Sequence, residues 1–461
     1  MKILLTSPRR SVYTGEWIAA PIQGLLFLAS AIRSGTFFDT SHSEIRIVDE
    51  QLELIKNPNS LQGLNNSDFT PDIIGVQALT SNLNNGIKMI RLFRARYPKA
   101  LILMGGISPT QRAEELLKKE ILDAIIHGEG EVTFSELVYR YELEGRKAFS
   151  KIRGLSYLND DGKFIKNPPR PNIPDLNILP PPARDLVDID LYKKISYGRS
   201  GNIISSRGCS FVCKYCYSKH QWGVGLRRIS VDKLIAEIRE MHEVYGFERI
   251  RFEDDDFMEN PDYVIMFCEA MIATGLNKKV EWEAKGRPNF MKLENLKLLR
   301  KANCFRLMMG VETLDPVLLK RMNRGVTSER IERSLNIMSQ ADIAVQATVV
   351  LGIPNESIDS IRYTMNWLDS RLKGRDIMGP CFFTPWDGVE KDMNDSTEFE
   401  IVIKDLDFYT GHMPVTSSAA CSYDDLMKLY NDMGRSREGV FNRIAHLTSL
   451  EKVNSKIGVY A

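Results

Sequence analysis

The sequence has no long apolar run and no excess of charge of either sign. Its 461 residues contain 61 Lys and Arg against 60 Asp and Glu, which gives a formal charge of +1. No segment approaches the roughly 20 apolar residues of a spanning helix, and the apolar stretch in MKILLTSPRR is too short for a signal peptide. These absences argue against nucleic-acid and membrane partners and predict a cytoplasmic protein.

Cysteine is also scarce, and its distribution is uneven. Of the seven cysteines, four are scattered along the chain, namely Cys268, Cys304, Cys381 and Cys421. Such usage fits a reducing compartment and a cofactor better than a disulfide scaffold. The other three are Cys209, Cys213 and Cys216, in the stretch NIISSRGCSFVCKYCYSKHQW that begins at Asn202. This stretch is the strongest functional signal in the sequence.

The three clustered cysteines lie just past a short apolar strand, in a loop that begins with a glycine. Thiolates this close in sequence can converge on one metal centre. An iron-sulfur cluster normally takes four cysteines, so three leave one iron open to a chelating ligand. A zinc site completed by His220 is an alternative. Buried free thiols are a second alternative, although three in eight residues do not make the face of a core.

The CxxxCxxC spacing, with Tyr215 before the last cysteine, resembles the radical S-adenosylmethionine (SAM) superfamily. The resemblance implies a 4Fe-4S cluster on the three cysteines, with SAM bound to the open iron and Tyr215 beside the cofactor. It also implies that one electron cleaves SAM to a 5'-deoxyadenosyl radical. An external electron donor such as flavodoxin or ferredoxin is then expected as a partner.

Residues 1–145 alternate between strand and helix patterns. Strands are predicted at 2–6, 45–48, 72–77, 101–104 and 124–126, each followed by a turn and then an apolar helical pattern. This alternation predicts a Rossmann-like, doubly wound parallel sheet. Its ligand is expected at the carboxyl ends of the strands, beside the turns at Thr80, Gly105 and Gly128.

The order of PIQGLLFLASAIRSG, PDIIGVQALTSN, YPKALILMGGISPT and DAIIHGEGEVTFSEL resembles the cobalamin-binding domain that precedes many radical SAM modules. The resemblance implies cobalamin contacts at Thr80, Gly105, Gly106, Gly128 and Glu129. The DxHxxG motif that supplies a lower cobalt ligand is absent, and the turn VDEQL after the second strand has no histidine. A histidine-free cobalamin site and a fold that has lost the cofactor both remain open. A packing role is expected for His127.

Three further regions follow the first domain. Residues 146–190 read as a proline-rich connector that contains a hairpin with Asp-Gly in its turn. Residues 191–385 resume the alternation, with strands predicted at Ile203 and at 249–252, 280–284, 305–311, 344–351 and about 377–383. These six strands match the partial (β/α)6 barrel of radical SAM enzymes. Residues 386–461 are expected to form a C-terminal capping region.

Polar residues follow the apolar strands of the second unit, where active sites of such barrels lie. The resemblance implies that Asp254 and Asp255 meet the amino end of SAM and that Glu312 contacts its methionine or ribose part. Gly352 and Glu356 would support the adenine, and Arg287 would pair with the carboxylate. The alternative interpretation of the acidic run that contains Asp254 and Asp255 is a solvated loop.

Three functional hypotheses follow. The first is a cobalamin-dependent radical SAM methyltransferase: one SAM methylates cobalamin, and a second yields the radical that activates an unreactive carbon of a small molecule or natural product. The second keeps the radical chemistry but ends in cyclisation, rearrangement or another reaction without methyl transfer, with or without cobalamin. The third is a non-enzymatic zinc protein. A monomer is expected.

Overall fold

The computed structural model describes residues 1–10, 20–56, 69–195, 200–393 and 399–433. Two α/β units follow one another along the chain. Each is a sheet whose strands alternate with helices in sequence, as the patterns of the two halves predict. None of the helices in the described ranges has the length and apolar character needed to cross a bilayer.

The first unit is a seven-stranded sheet in the order β2-β1-β3-β4-β5-β6-β7. Strands β1 to β5 pair in parallel, and β5-β6 and β6-β7 pair antiparallel. The hairpin expected in the connector therefore forms, but it extends the first sheet. The strands are β1 Lys2–Ser7, β2 Glu44–Asp49, β3 Ile73–Gln77, β4 Leu101–Gly105, β5 Ala124–Ile126, β6 Leu155–Leu158 and β7 Phe164–Lys166.

Helices cover both faces of this sheet, and two apolar clusters form on its opposite sides. One cluster contains Leu25, Ile32 and Phe134, and the other contains Ile90 and Phe93. The helices of this part are α1 Gln23–Ser34, α2 Glu50–Lys56, α3 Leu83–Arg96, α4 Ile107–Gln111, α5 Ala113–Leu117, α6 Gly130–Glu144 and, in the connector, α7 Ile189–Ile195.

The second unit is a six-stranded parallel sheet in the order β15-β14-β13-β12-β11-β8, which agrees with the predicted (β/α)6 barrel. Two short antiparallel pairs, β9-β10 and β16-β17, accompany it. The strands are β8 Ser200–Ile203, β9 Ser206–Arg207, β10 Arg227–Arg228, β11 Arg249–Phe252, β12 Glu281–Gly286, β13 Cys304–Glu312, β14 Ala344–Leu351, β15 Ile377–Phe382, β16 Phe399–Ile401 and β17 Thr416–Ser418.

The helices of the second unit begin where the sequence places capping residues. Ser230 and Asn260 each accept a backbone N–H at the start of a helix, and Pro261 is the first residue of the second of these. The helices are α8 Ser218–Trp222, α9 Val231–Glu243, α10 Pro261–Ala273, α11 Leu293–Lys301, α12 Pro316–Arg321, α13 Ser328–Gln340, α14 Ile358–Arg371 and α15 Val389–Met393, followed by residues 423–433. The rest of the expected C-terminal region, 434–461, lies outside the described residues.

The core of the second unit lies between the sheet and its helices. Phe252, Phe257, Phe267 and Trp282 pack with ring centroids 4.5–5.7 Å apart. Alternate residues of β11 and β12 are buried in this core, and the residues between them are only half-buried on the opposite face. That inner face carries charge: Arg249, Arg251, Glu281, Glu283 and Lys285.

Polar contacts near the strand ends join the first unit to the connector and to the second unit. Tyr192 donates a hydrogen bond of 2.7 Å to Asp49, and Gln23 donates one of 3.0 Å to the carbonyl oxygen of Asn202. These contacts join α7 to β2 and α1 to β8, so the carboxyl end of the first sheet lies against the strand that leads into the cysteine loop.

Candidate functional site: a cysteine loop beside an interdomain cavity

The loop that carries the three cysteines is held by its own backbone. Gly208 precedes Cys209 with φ 87°, and a Cβ atom there would lie 2.2 Å from the carbonyl oxygen of Gly225. The Gly225 N–H donates to the Cys209 carbonyl at 3.2 Å, and the Cys216 N–H donates to the Cys213 carbonyl at 3.2 Å. The glycine is thus required by close backbone packing, and the cysteines occupy a defined loop.

Arg287 lies against this loop. Its Nη1 is 3.2 Å from the Cys213 sulfur, its Nη2 donates to the Arg324 carbonyl, and its guanidinium lies 3.7 Å from the centroid of the Phe211 ring. The buried guanidinium thus places a positive charge beside the Cys213 sulfur. The structure therefore places Arg287 at the cysteines, in reach of a ligand bound there.

Glu312 ends β13 with φ +66°, an unusual backbone conformation for a residue with a side chain. Its Oε1 accepts a hydrogen bond of 3.1 Å from the Tyr215 hydroxyl and lies 3.7 Å from Nη2 of Arg324. Burial raises the pKa of Glu312, and Arg324 opposes that rise. Tyr215 and Glu312, 97 residues apart in sequence, thus meet as one polar group beside Cys216.

Arg324 is a site residue that the sequence analysis did not single out. It is almost fully buried and donates to the Gly310 carbonyl at 2.7 Å, in addition to its contact with Glu312. The signal available in the sequence was an arginine before a glycine in KRMNRG, after the strand that ends in Glu312. That pattern also fits an ordinary helix terminus, so burial alone distinguishes it.

The acidic residues that follow β11 have different roles. Asp254 is buried and accepts hydrogen bonds from the Ser205 N–H at 3.1 Å, from the Ser205 hydroxyl at 2.7 Å and from the Ser206 hydroxyl. Asp255 accepts one of 2.6 Å from the Ser218 hydroxyl. Asp254 therefore braces the strand that leads into the cysteine loop and already accepts three hydrogen bonds, whereas Asp255 keeps more acceptor capacity for SAM.

Asp256, the next residue, was not singled out from the sequence. Burial raises its pKa to about 7, and its Oδ2 atom has no hydrogen-bond partner within the described residues. An orphaned buried carboxylate oxygen close to Arg287 indicates a group that is completed by a ligand or a proton.

Gly352 and Glu356 form a closed turn after β14. The Glu356 carboxylate accepts the N–H groups of Gly352 and Ile353 at 3.0 and 3.3 Å, and burial raises its pKa to about 8. A Cβ atom on Gly352, whose φ is 72°, would lie 2.8 Å from the Leu426 side chain of the helix at 423–433. Glu356 thus shapes the turn, and an adenine contact at this turn remains a prediction.

The three cysteines suit a cluster better than a single ion. Within the described ranges, no three His, Cys, Asp or Glu side chains surround one point that could hold a metal ion. In a 4Fe-4S cubane each cysteine binds a different iron, so the sulfurs stay farther apart than the ligands of one ion. Burial raises the pKa of Cys209 and of Cys216, the latter to about 11, so thiolates here need a positive centre. His220, the expected fourth zinc ligand, bonds Asp392 at 2.6 Å instead.

A cavity of about 570 Å³ lies between the carboxyl end of the first sheet and the approach to the cysteine loop. Strand ends of the first unit form one wall, including Gly105, Gly106, Gly128 and Glu129. The opposite wall comes from the second unit and includes Ile204, Arg207, Gln221, Trp222 and Glu253. Thr80 does not line it: its hydroxyl donates to Asp387 at 2.9 Å, and its neighbours Leu79 and Ser81 face the cavity.

The histidines of the first unit lie away from this cavity. His127 bonds the Ser156 hydroxyl at 2.8 Å, and burial lowers its pKa to about 4, in line with the packing role expected for it. Asp49 and Gln51, from the turn without a histidine, line the cavity together with His220 and His412 of the second unit. Residues 11–19, which follow β1 in the chain, lie outside the described residues.

Comparison with protein families assigns both units. Residues 65–138 match the B12 binding domain, and residues 203–368 match the Radical SAM superfamily. The first match includes the turns at Gly105 and Gly128, and the second includes all three clustered cysteines. The chain is therefore a radical SAM enzyme with a B12-binding domain, a combination that uses a 4Fe-4S cluster, SAM and cobalamin. The predicted fold class and cofactors are confirmed, and the zinc-protein hypothesis is wrong.

Curated relatives of different activities share most of the chain. An uncharacterized methyltransferase of Pyrococcus horikoshii is 29% identical over 80% of this chain and 77% of its own. An anaerobic magnesium-protoporphyrin IX monomethyl ester cyclase of Cereibacter sphaeroides is 25% identical over 81% of this chain and 59% of its own. The match with this chain therefore spans about three fifths of the length of the cyclase.

Among solved structures, the cobalamin-dependent SAM radical enzyme OxsB with aqua-cobalamin bound matches with a TM-score of 0.67. The match covers 86% of this chain and 56% of OxsB at 19% sequence identity. At that identity the likeness establishes the fold, including the order of its two units.

Proposed function

We propose that this protein transfers a methyl group from SAM to an unactivated carbon of a small-molecule or natural-product substrate. The observation that carries the proposal is a cavity of about 570 Å³ that residues of both cofactor-binding units line. The glycine turns of the B12-binding domain open into it from one side, and the segment that leads to the cysteines closes it from the other. Groups bound at both places would face a common space.

The chain's own residues have separate tasks in this proposal. Cys209, Cys213 and Cys216 would hold the cluster, with Arg287 against the Cys213 sulfur. Tyr215, Glu312 and Arg324 form the buried polar group beside them, and Asp255 offers acceptor capacity for the SAM ammonium. Gly105, Gly106 and Gly128 leave room for cobalamin. When bound, these cofactors supply an electron for SAM cleavage, a hydrogen-abstracting 5'-deoxyadenosyl radical and a carrier for the methyl group.

Water exclusion is a further task of the chain. Arg287 and Glu312 are at most 8% exposed, and Asp256 is 1% exposed. A radical intermediate is protected from side reactions when solvent is kept out, and the electrostatic contacts inside such a site are stronger than in water.

Methyl transfer can be tested before the substrate is known. The anaerobically purified protein is supplied with iron, sulfide, cobalamin, a low-potential reductant and SAM labelled with CD3. We expect S-adenosylhomocysteine and labelled cobalamin, together with 5'-deoxyadenosine from reductive cleavage. Mass spectrometry that finds only 5'-deoxyadenosine and methionine, with no S-adenosylhomocysteine and no label on cobalamin, would reject methyl transfer.

A second candidate is a radical reaction without methyl transfer, such as cyclisation. It is favoured by the 25% identity to the anaerobic cyclase over 81% of this chain. In the same experiment this candidate yields 5'-deoxyadenosine without S-adenosylhomocysteine, so one measurement separates the two.

The expected electron donor, cellular location and oligomeric state are also part of the proposal. A flavodoxin or ferredoxin would supply the electron that reductive cleavage of SAM consumes. A cytoplasmic location fits the reducing conditions that buried thiolates need. A monomeric state and the absence of a nucleic-acid partner stay predictions.

A further inference from the structure

A buried group of charges connects the B12-binding domain to the segment just before the cysteines. Arg207 lies in β9, two residues before Cys209. Its Nη2 donates to Oε1 of Glu131 at 2.5 Å, and its Nη1 lies 3.2 Å from Oε1 of Glu129. Both carboxylates come from the first unit, 76 residues or more before Arg207 in the chain. We call Arg207, Glu129 and Glu131 the interdomain clamp.

The burial of this clamp sets it apart from surface ion pairs. The side chains of Arg207, Glu129 and Glu131 are only 4–5% exposed. Two carboxylates two residues apart repel each other when they are buried, and a buried arginine without partners is strongly destabilising. The pairs of Arg207 with Glu129 and Glu131 join the two units, so a shift of one unit against the other would break buried ion pairs.

The carboxylate side of the clamp is rigid. Glu129 and Glu131 flank the start of α6, where helix N–H groups favour negative charge. The second oxygen of Glu129 accepts the Ile173 N–H at 2.6 Å, and its first oxygen lies 2.7 Å from Nη1 of Arg227. Gly130 between them is closely packed, because a Cβ atom there would lie 2.9 Å from Cδ2 of Leu28 and that side chain would have to move.

The arginine side of the clamp is equally confined. The Arg207 guanidinium lies 5.4 Å from the ring centroid of Phe27 in α1 and 5.4 Å from that of Trp222 at the end of α8. Phe27 belongs to the first unit and Trp222 to the cysteine loop. Cation–π contacts with both rings fix the direction of the guanidinium, and Gly208 alone separates Arg207 from Cys209.

The clamp also forms part of the cavity wall. Arg207, Glu129, Glu131, Phe27 and Trp222 all line the 570 Å³ cavity. We propose that Arg207 is a positioning residue that, through Glu129 and Glu131, sets the distance and orientation between the cobalamin site and the cluster. The effect of the clamp on methyl transfer rests on the proposed function, because the transfer of a group between two cofactors depends on their spacing.

The experiment measures spacing and transfer in the same variants. Glu131→Gln keeps the shape of the side chain and removes its charge, and Arg207→Lys keeps the charge but cannot bridge two carboxylates as a planar fork does. Arg33→Gln is the matched control, because Arg33 and Asp185 also form an ion pair between α1 and the connector, at 2.5 Å, but both are about half exposed. Exposed pairs of this kind contribute little.

The first readout is the dipolar coupling between cob(II)alamin and the reduced cluster in pulsed electron paramagnetic resonance. We expect one narrow distance in the unmodified protein and in Arg33→Gln, and a broadened or shifted distance in the two clamp variants. An unchanged distance in Glu131→Gln and Arg207→Lys, with cobalamin and iron content equal to the unmodified protein, would overturn the proposal.

The second readout is a ratio of two products. It is the amount of methyl groups transferred from SAM to cobalamin, divided by the amount of 5'-deoxyadenosine formed. We expect this ratio to fall by about tenfold or more in the clamp variants, because small displacements of reacting groups have large effects on rate. A proportional loss of both products would indicate a merely structural role and contradict the proposal. Failure of the unmodified protein to transfer any methyl group would reject the proposed function, and the distance measurement would still decide the role of the clamp.

Discussion

The two units prepare their strand ends for ligands in opposite ways. In the B12-binding domain glycines lie at the strand ends: Gly105 ends β4, Gly106 follows it, and Gly128 lies two residues after β5. In the barrel the strand ends carry charged groups that are buried and paired, such as Asp254 with Ser205 and Glu312 with Arg324. The strand ends of the first unit leave space for a ligand, and those of the second unit carry buried, paired charges around the ligand site.

This difference reflects what each unit has to bind. A large flat cofactor needs backbone that can be approached closely, which only glycine allows at φ values such as the 108° of Gly106. A sulfonium cofactor on a cluster has an ammonium, a carboxylate and a positive sulfur, which need oriented partners rather than volume. If the comparison is right, changes in one unit should impair one cofactor and leave the other in place.

The largest effect is expected from Cys213→Ala. Loss of one of three cluster ligands should abolish iron binding and reductive SAM cleavage, whereas cobalamin binding should persist, because the cavity glycines belong to the other unit. Iron content, 5'-deoxyadenosine formation and the corrin absorption of the reconstituted protein measure the three properties separately.

Cys268→Ala is the matched control for this variant. Cys268 is fully buried in α10, away from the cysteine loop, so its replacement should leave iron content unchanged. Simultaneous loss of iron and corrin in Cys213→Ala, with a folded protein, would show that the two units do not bind their cofactors independently.

The reverse separation is expected for Gly106→Ala. A Cβ atom at this position would lie 2.3 Å from the Ala78 carbonyl oxygen, and φ is 108°, so the turn that lines the cavity has to shift. We expect a loss of stability of about 1–3 kcal/mol and a fall in cobalamin affinity of about tenfold or more. Iron content should be unaffected.

Gly145→Ala isolates the conformational part of this effect. Gly145 also has positive φ, 61°, but nothing lies within 4 Å of the Cβ position, and it is outside the cavity. It should lose about 1–2 kcal/mol of stability and keep its cobalamin affinity. Equal cobalamin affinities in the two glycine variants, measured by titration, would contradict the role given to the strand-end glycines.

A smaller effect concerns pH and affects the first unit alone. Burial, with Lys166 as a lesser cause, lowers the pKa of His127 to about 4, whereas an unfolded histidine titrates near 6.5. As pH falls from 6.5 to 4, the unfolded chain takes up a proton that folded His127 refuses, so stability is lost by at most about 3 kcal/mol. Chemical denaturation at pH 7.5 and pH 5 measures the loss.

His127→Gln is the comparison for this pH effect. The variant can still bond Ser156 but does not titrate, so its unfolding free energy should fall less between the two pH values. An identical pH dependence in both proteins would show that other groups cause it. If the barrel unfolds separately, the midpoint of its unfolding transition should be the same in the unmodified protein and in His127→Gln.

Much of the fold could be predicted because both units repeat one simple pattern. Apolar strands ended by glycine or acidic residues, and helix starts such as Ser230 and Asn260, are local signals, so β11 and β14 were both predicted at their exact bounds. The hairpin at β6-β7 was also local. Its pairing with β5 was not, because which sheet a hairpin joins depends on tertiary contacts.

The candidate site was less accessible to sequence reasoning. The cysteines are close in sequence and were evident, but the roles of Asp254 and Thr80 depend on partners 49 and 307 residues away. Arg324 and Arg207 were missed because an isolated arginine has no pattern that distinguishes a buried clamp from a solvated side chain. Their burial becomes apparent only when two distant segments are brought together.

The smallest predicted effect tests the position of Thr80, which sequence reasoning put in the cobalamin site. In the structure the Thr80 hydroxyl donates a hydrogen bond to Asp387, which also accepts one of 2.9 Å from Nε of Arg112. Thr80 therefore joins the first unit to the loop after β15. Thr80→Val should therefore cost about 1–2 kcal/mol of stability and leave cobalamin affinity unchanged. Asp387→Asn combined with Thr80→Val should cost less than the sum of the single changes, because the two residues share one hydrogen bond. A cobalamin affinity in Thr80→Val as low as that of Gly106→Ala would instead return Thr80 to the cavity wall and remove its role in joining the two units.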